Sequence, residues 1–255
     1  MQIEQYKGFK HFADRDPKRQ IKYLVVHSFA LPVKKMLEVC DKLGVGPHYI
    51  IDRKGRILQL VSEDKTAWHA GKSFWGGEES LNAASVGIEL QNMTLGQTKY
   101  PQIQMDAFEW LAKQIMKRHN ILPQNVVGHS DVAPTRKVDP GVDFPWAEMA
   151  KRRIGIWPDG KKVVSRKKAG TLLREIGYDT TDEKAALLAF MRHFMPGRVL
   201  ADKEILRMEE NLPGRIAAIP APDKDVMTML NQAACAYSQA RTLPNLPGRR
   251  ARGRG

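Results

Sequence analysis

Short apolar runs separated by polar turns dominate the first half of the chain. Each run is rich in β-branched or other large apolar residues, which is typical of a buried strand. The predicted strands lie at residues 21–26, 48–51, 56–61, 85–90 and 125–127. A polar turn at residues 52–55 joins the second strand to the third, so we expect these two strands to form a β-hairpin.

Two longer stretches have the spacing of amphipathic helices. The first covers residues 32–43, where Pro32 is suited to the start of a helix and Gly44 to its end. The second covers residues 101–119, with Phe108, Leu111 and Ile115 on one face. Helices interleaved with strands predict an α/β (α+β) fold, in which helices flank a mixed central β-sheet.

The pattern changes after residue 155, where a turn and a basic stretch are followed by helical segments alone. Helices are predicted at residues 172–176, 183–194 and 201–210, which would form a small three-helix C-terminal domain. The predicted organisation is a main domain at 1–155, a basic linker at 156–169, the small helical domain at 170–211 and a tail at 212–255. One further helix is expected within that tail, at residues 223–240.

The composition is that of an ordinary globular protein, with 42% hydrophobic and 27% charged residues. No apolar run approaches the roughly 20 residues that a transmembrane helix needs. Cys40 and Cys235 are far apart in the chain, which argues against a disulfide framework or a cysteine zinc site. Residues 1–20 are charged and contain no apolar stretch, so no signal peptide is visible. We expect a monomer located in the cytoplasm. The alternatives are a location in the cell envelope and a phage lysin that is released.

The chain carries a net charge of +13, which should attract polyanions. Part of this excess lies in an arginine-rich end at residues 249–254. We interpret that end as a solubilising tail that binds polyanions without specificity, and we expect no specific nucleic-acid partner. A specific nucleic-acid-binding arm is the alternative, and its test is salt-sensitive DNA binding that is lost on truncation.

Two histidines and an aspartate are placed to bind a metal ion. His27 closes the apolar run at residues 23–26, and His129 follows the last predicted strand. Asp139 comes ten positions after His129, in a loop that Pro140 and Gly141 stiffen. Two imidazoles and one carboxylate can hold a zinc ion and leave its fourth position open for water, which is the arrangement of a catalytic zinc site.

Other side chains could complete such a site. Glu89 interrupts an otherwise apolar strand, which is costly unless the carboxylate is paired or used, so it is a candidate general base. Lys137 lies two residues before Asp139 and could stabilise a developing oxyanion. His69 is open to three interpretations, as a metal ligand, a substrate contact or a core residue. His48 is interpreted as structural or as a residue that supports the ligands from behind. Three tryptophans are candidates for the floor of a sugar-binding groove, although the last of them fits helix packing better; they are Trp68, Trp75 and Trp110.

These motifs together resemble the zinc-dependent N-acetylmuramoyl-L-alanine amidases of the second amidase family, a fold family that includes phage lysozyme-type amidases and peptidoglycan recognition proteins. The matching stretches are residues 23–27, 46–52, 67–71, 81–82, 85–90 and 128–141. The last of them, with a lysine two positions before the aspartate, is the most specific. The resemblance covers about residues 20–150.

The resemblance implies a role for each candidate residue. His27, His129 and Asp139 would bind Zn²⁺, Glu89 would act as the base and Lys137 would stabilise the oxyanion. The substrate-binding residues would be His69, Trp68 and Asn82. The reaction would be hydrolysis of the amide between N-acetylmuramic acid, or its anhydro form, and the L-alanine of a peptidoglycan stem peptide, in cell-wall degradation or muropeptide recycling.

The chain most resembles the subgroup with a helical C-terminal domain similar to peptidoglycan-binding modules, through residues 172–178 and 190–194. Members of that subgroup are typically exported and lipid-anchored, and this chain shows neither a leader nor an acylatable N-terminal cysteine. The competing hypothesis is a peptidoglycan-recognition protein that has lost catalysis. In that lineage a zinc ligand is often replaced, whereas here all the implied ligands, the base and the lysine are present, which predicts an active enzyme.

Overall fold

The computed structural model describes residues 1–200 and 212–242. The strands within these ranges are β1 (Ile3–Gln5), β2 (Phe12–Asp14), β3 (Tyr23–Phe29), β4 (Tyr49–Ile51), β5 (Ile57–Gln59), β6 (Lys65–Ala67), β7 (Phe74–Trp75), β8 (Glu78–Glu79), β9 (Ser85–Gln91) and β10 (Val126–Gly128). Six of these described strands form a central sheet in the order β1-β5-β4-β9-β3-β10. The sheet is mixed, because β4 and β5 pair antiparallel and the other neighbours pair parallel. Strands β2 and β6 form a separate antiparallel pair, and so do β7 and β8.

The helices of the described ranges are α1 (Val33–Leu43), α2 (Gln102–His119), α3 (His129–Val132), α4 (Trp146–Lys151), α5 (Ala169–Ile176), α6 (Glu183–Phe194), α7 (Pro196–Leu200), α8 (Leu212–Ala218) and α9 (Lys224–Thr242). Two short 3-10 helices, at Leu81–Ala84 and Pro123–Asn125, lead into β9 and β10. The part of the chain that the structure describes contains no helix both long and apolar enough to span a bilayer.

The predicted α/β class with a mixed sheet and flanking helices is confirmed. Each predicted strand overlaps a strand of the central sheet, and residues 48–51 and 56–61 contain the predicted hairpin, with Ile51 opposite Ile57. Both predicted helices are present, and Gly44 ends α1 with a positive φ of 67°. The first strand differs most from its prediction, because β3 starts at Tyr23 and runs on to Phe29, so that His27 lies inside the strand.

The two faces of the central sheet are covered differently. Side chains alternate between the faces along a strand, so Leu24 and Val26 of β3 face the core that contains Phe108 and Leu111 of α2. The opposite face of β3 carries first Tyr23 and Val25, then His27, and finally Phe29. Val25 packs with the C-terminal helices, whereas Phe29 packs with α1. His27 therefore lies on this face between two hydrophobic clusters, one formed with the C-terminal helices and the other with α1.

The C-terminal helices are packed directly onto the sheet. Leu172 of α5, Phe190 of α6 and Tyr237 of α9 belong to the same buried cluster as Val25 of β3 and Val127 of β10. The predicted helix at 183–194 coincides with α6, and Asp182 caps it by accepting a hydrogen bond from the amide of Ala185 at 3.0 Å.

The segments around α6 depart from the sequence prediction in several places. The helix expected at 172–176 begins three residues earlier, at Ala169. The helix expected at 201–210 lies outside the described residues, as does the arginine-rich end. The helix expected at 223–240 is present as α9, and its buried residues Val226, Leu230 and Tyr237 make it part of the core. The division of the chain into four parts stays a prediction. Hydrophobic packing is continuous between the central sheet and the helices α5, α6 and α9.

Candidate active site

The three residues predicted as metal ligands lie together near the carboxyl ends of the neighbouring strands β3 and β10. His27 is on β3, and His129 is the first residue of α3, directly after β10. Asp139 lies in the loop that follows α3. The Nδ1 atoms of His27 and His129 are 2.9 Å apart. Oδ2 of Asp139 is 3.4 Å from Nδ1 of His27 and 3.1 Å from Nδ1 of His129.

This triangle of donor atoms has the size that a small metal ion requires. An ion bound tetrahedrally at 2.0–2.1 Å would hold its nitrogen and oxygen ligands about 3.3 Å from one another. All three residues are buried, with exposures of 1% for His27, 4% for His129 and 6% for Asp139. Burial is costly for a carboxylate unless it is paired or coordinates a cation. The donor set and its spacing therefore fit a divalent cation such as zinc.

The second nitrogen of His129 is held by the backbone of the loop opposite. Its Nε2 donates a hydrogen bond to the carbonyl oxygen of Ala70 at 3.3 Å. Arg136 donates to the same carbonyl and to that of Lys72, and so fixes the loop from the other side. A proton on Nε2 leaves the lone pair of Nδ1 free to face the metal position, which is how outer-shell partners orient a ligating imidazole.

The second nitrogen of His27 begins a chain of side-chain hydrogen bonds. Nε2 of His27 is 2.9 Å from Nδ1 of His69, and Nε2 of His69 is 3.2 Å from Oγ of Ser85. Oγ of Ser85 donates to the carbonyl oxygen of Leu81 at 2.6 Å. With Nδ1 of His27 turned to the metal, each step of the chain has one donor and one acceptor, so the tautomers of both histidines are set.

Gly87 makes room for this chain. It follows Val86 on β9, and a Cβ atom built on it would lie 2.5 Å from two atoms of the His69 ring. The ring of His69 therefore lies against the bare backbone of the strand. The amide of Gly87 donates to Nδ1 of His48 at 3.0 Å, so the buried His48 supports the strand from the side, in accordance with its structural interpretation.

The protonation of His27 and Asp139 suits a metal site. Burial, together with the neighbouring His129, lowers the pKa of His27 to about 4, so this imidazole is neutral at pH 7. Burial by itself would raise the pKa of Asp139. The adjacent imidazoles of His129 and His27 outweigh that effect and hold the pKa of Asp139 well below its usual range. The site thus presents a neutral imidazole at His27 and a carboxylate at Asp139.

Glu89 lies beside the ligands on the neighbouring strand. It stands directly opposite His27 in the parallel pairing of β3 and β9. Its Oε2 atom is buried and has no hydrogen-bond partner among the described residues. Burial, and then the charge of Asp139, raises the pKa of Glu89 well above its ordinary value, whereas Lys137 acts in the opposite direction. Such a carboxylate has the environment of a general base.

Lys137 is half-buried and lies close enough to this cluster for its charge to act on both Glu89 and His27. Its amide donates to the carbonyl oxygen of Ala133 at 3.0 Å, so the backbone of this segment is tied to the end of α3. The structure thus brings together all five residues that were predicted for metal binding and catalysis.

The residues predicted to bind substrate occupy the adjoining loop. Trp68 is 39% exposed. Asn82 accepts hydrogen bonds through Oδ1 from the amides of His69 and Ala70, at 3.0 and 2.7 Å. Asn82 therefore fixes the backbone that presents His69 to His27. Substrate contact by these three residues stays a prediction.

Sequence reasoning missed several residues of the site and misjudged one. Ser85 and Arg136 were not singled out, although both lie in the matching stretches of sequence. Trp75 was a candidate for a groove floor, but it is 2% exposed and packs edge-on against Tyr178 at 4.9 Å. Its burial reflects contacts with the C-terminal helices that no local pattern predicts.

Comparisons with known proteins agree with this geometry. Residues 17–142 match the family model described as Amidase_2, N-acetylmuramoyl-L-alanine amidase. The chain is 36% identical over 209 residues to the N-acetylmuramoyl-L-alanine amidase AmiD of Escherichia coli strain K12, covering 69% of this chain and 76% of that protein. It is 42% identical over 108 residues to the 1,6-anhydro-N-acetylmuramyl-L-alanine amidase AmpD of Citrobacter freundii, covering 42% of this chain and 56% of that protein.

Solved structures extend the likeness into the C-terminal helices. A complex of E. coli AmiD with the substrate anhydro-N-acetylmuramic acid-L-Ala-D-gamma-Glu-L-Lys superposes with a TM-score of 0.62 at 33% identity, covering 80% of this chain and 98% of that one. AmpDh3 from Pseudomonas aeruginosa superposes with a TM-score of 0.69 at 27% identity, covering 93% of this chain and 100% of that one. On the extent of the AmiD match, the chain belongs to the N-acetylmuramoyl-L-alanine amidase family described as Amidase_2.

Proposed function

We propose that the protein is a zinc-dependent amidase that hydrolyses the bond between N-acetylmuramic acid, or its anhydro form, and the L-alanine of a peptidoglycan stem peptide. The observation that carries this proposal is the triangle formed by His27, His129 and Asp139, whose donor atoms lie 2.9 to 3.4 Å apart. The names of AmiD and AmpD, and the muropeptide bound in the AmiD complex, support the choice of substrate class.

The metal and the base have separate tasks in this reaction. A zinc ion held by His27, His129 and Asp139 would supply Lewis acidity and make water more acidic at neutral pH. Glu89 lies opposite His27, and its buried Oε2 atom has no partner within the described residues, so its carboxylate can accept the proton of the attacking water. The same group can then return that proton to the nitrogen of the leaving L-alanine.

Lys137 supplies positive charge where the carbonyl oxygen becomes negative. It belongs to the same charged cluster, as its effect on the pKa of Glu89 indicates. A cation held in a partly desolvated position stabilises a developing oxyanion more than the neutral ground state, and that difference lowers the barrier. We therefore propose Lys137 as the oxyanion-stabilising residue.

Trp68 directly precedes His69 in the chain and is 39% exposed, and we propose that it contacts the substrate. Oδ1 of Asn82 holds the loop backbone, and the two ring nitrogens of His69 lie within hydrogen-bond distance of His27 and Ser85. We propose that Asn82 and His69 form the wall of the substrate groove beside the metal site.

The competing function is recognition of peptidoglycan without catalysis. A recognition protein needs the groove but neither a base nor an intact ligand set. In this chain the Oε2 atom of Glu89 is buried and has no hydrogen-bond partner within the described residues, which is costly for a carboxylate. This observation favours the hydrolase.

The test is to incubate the purified protein with polymeric sacculi and, separately, with anhydro-muropeptides, and to identify the products by mass. We expect stem peptides with a free L-alanine amino group, and we expect a chelator to abolish their formation. The ratio of the two rates identifies the preferred form of the substrate. Zinc-loaded protein that binds muropeptide but releases no peptide would show recognition instead.

A further inference from the structure

A buried carboxylate near the metal site is held by the C-terminal helices. Asp131 is 1% exposed and lies in α3, two residues after the ligand His129. Its Oδ2 accepts the amide of Gly128 at 2.7 Å and lies 2.8 Å from Nδ1 of His193. Its Oδ1 accepts the hydroxyl of Tyr178 at 2.8 Å. Two of the three donors therefore come from residues far along the chain, beyond the region that carries the catalytic cluster.

The short helix α3 determines the position of two metal ligands. It carries His129 directly. The amide of the next residue, Ser130, donates to the carbonyl oxygen of Asp139 at 2.8 Å. Asp131 is the third residue of the same helix. A small rotation of this single turn would therefore move both His129 and Asp139, and it would leave His27, which is part of β3, in place.

The two long-range donors are themselves packed rigidly. His193 of α6 is 3% exposed, and its ring stacks on Trp146 with a centroid distance of 4.0 Å and an interplanar angle of 13°. Tyr178, which follows α5, is 1% exposed and packs against Trp75. Arg192, also buried on α6, adds a positive charge that acts on Asp131. We call the hydrogen bonds of Asp131 with Tyr178 and His193 the bridge. Fixed donors on a buried carboxylate give this bridge a directional strength that apolar contact lacks.

We propose that Tyr178 and His193 are positioning residues of the metal centre, so that the C-terminal helices set the geometry of His129 and Asp139 through Asp131. The inference rests on the proposed metal site. It makes the C-terminal helices part of the scaffold of the metal centre, in addition to any part they have in binding the cell wall. Neither residue touches the ligands, and their effect passes through α3.

The test compares Tyr178→Phe and His193→Phe with the control Tyr237→Phe. The first two variants remove one donor to Asp131 each and keep an aromatic ring in the core. Tyr237 is buried in the same cluster, and its hydroxyl has no hydrogen-bond partner among the residues described, so its loss removes a hydroxyl without touching the bridge. The measurements are the zinc dissociation constant by competition with a chromogenic chelator, kcat and KM for an anhydro-muropeptide, and thermal unfolding of the zinc-free protein.

We expect Tyr178→Phe and His193→Phe to weaken zinc binding by about tenfold, the lower end of the effect of losing an outer-shell partner, and Tyr237→Phe to leave it unchanged. The variants should lower kcat measured at limiting zinc more than they raise KM. His193→Asn, which can return an N–H donor to Asp131, should recover much of the zinc affinity lost in His193→Phe. If His193→Phe does not fold, Tyr178→Phe decides the question.

A bridge that only stabilises the fold gives a different result. Zinc affinities of Tyr178→Phe and His193→Phe equal to that of Tyr237→Phe, with lowered thermal stability, would overturn the proposal, as would a His193→Asn variant no better than His193→Phe. The proposed function fails separately: wild-type protein that binds zinc but cleaves no muropeptide contradicts the amidase, while a zinc affinity that depends on Tyr178 and His193 still supports the bridge.

Discussion

His27 and Glu89 stand directly opposite each other on adjacent parallel strands at the centre of the sheet. The proposed metal ligand and the proposed base are therefore held by the backbone hydrogen bonds of β3 and β9, whose spacing in a sheet is about 4.8 Å. Neither side chain depends on a surface loop for its position. The base can thus change chemically without displacing the ligand, and this allows the two roles to be separated by mutation.

Glu89→Gln should retain zinc and lose catalysis. The amide has the shape of the carboxylate but cannot accept the proton of water, so we expect kcat to fall by about 10² to 10⁴-fold. Zinc content, measured by atomic emission, should stay at the wild-type level. The matched control is Glu38→Gln on the exposed surface of α1, which should behave as wild type. Wild-type turnover by Glu89→Gln would exclude Glu89 as the base.

The pH profile of kcat/KM should report the environment of Glu89. Burial and the charge of Asp139 raise the pKa of Glu89 in the metal-free protein, and a base acts only when ionised, so kcat/KM should fall on acidification as Glu89 takes up a proton. Lys137 lowers the pKa of Glu89.

Lys137→Met should therefore move the acid limb of this profile to higher pH, in addition to lowering kcat. Rates are measured across the acid range with zinc held in excess. An acid limb at the same pH in wild type and Lys137→Met would contradict the coupling between Lys137 and Glu89.

The sequence predicted the central strands and singled out the three metal-ligand candidates and two catalytic candidates that the fold brings together, because hydrophobic runs mark buried strands and these residues interrupt or follow those runs. It was insufficient for short strands such as β7 and β8, which have two residues each and no periodicity of their own. The bond between Asp131 and His193 joins residues 62 positions apart. No local spacing encodes such a pair, since it depends on how the C-terminal helices dock on the sheet.

Acid should destabilise the zinc-free protein through its buried neutral histidines. Burial, and then Arg15, lowers the pKa of His48 from 6.5 to about 3, and burial with His129 lowers that of His27 to about 4. Below pH 6.5 the unfolded chain binds protons that the folded protein does not, so stability is full above that pH and decreases as the pH falls toward these values.

Each such group contributes a slope of up to about 1.4 kcal/mol per pH unit. Denaturant unfolding of the zinc-free protein from about pH 7 to about pH 5 measures the total slope. His48→Gln should reduce it by about one group's share. An unchanged slope in this variant would show that His48 is not a buried neutral imidazole.

Gly87→Ala should damage the metal site without touching any ligand. The added methyl group would lie 2.5 Å from the ring of His69, so the ring must move and its hydrogen bond to Nε2 of His27 must lengthen or break. Loss of such an outer-shell partner typically costs about 10 to 100-fold in metal affinity or activity, and we expect an effect in this range on zinc binding. Gly197→Ala is the control, because a Cβ atom at Gly197 meets nothing within 4 Å. Chelator competition on the two variants gives the measurement, and equal zinc affinities would mean that His69 does not orient His27.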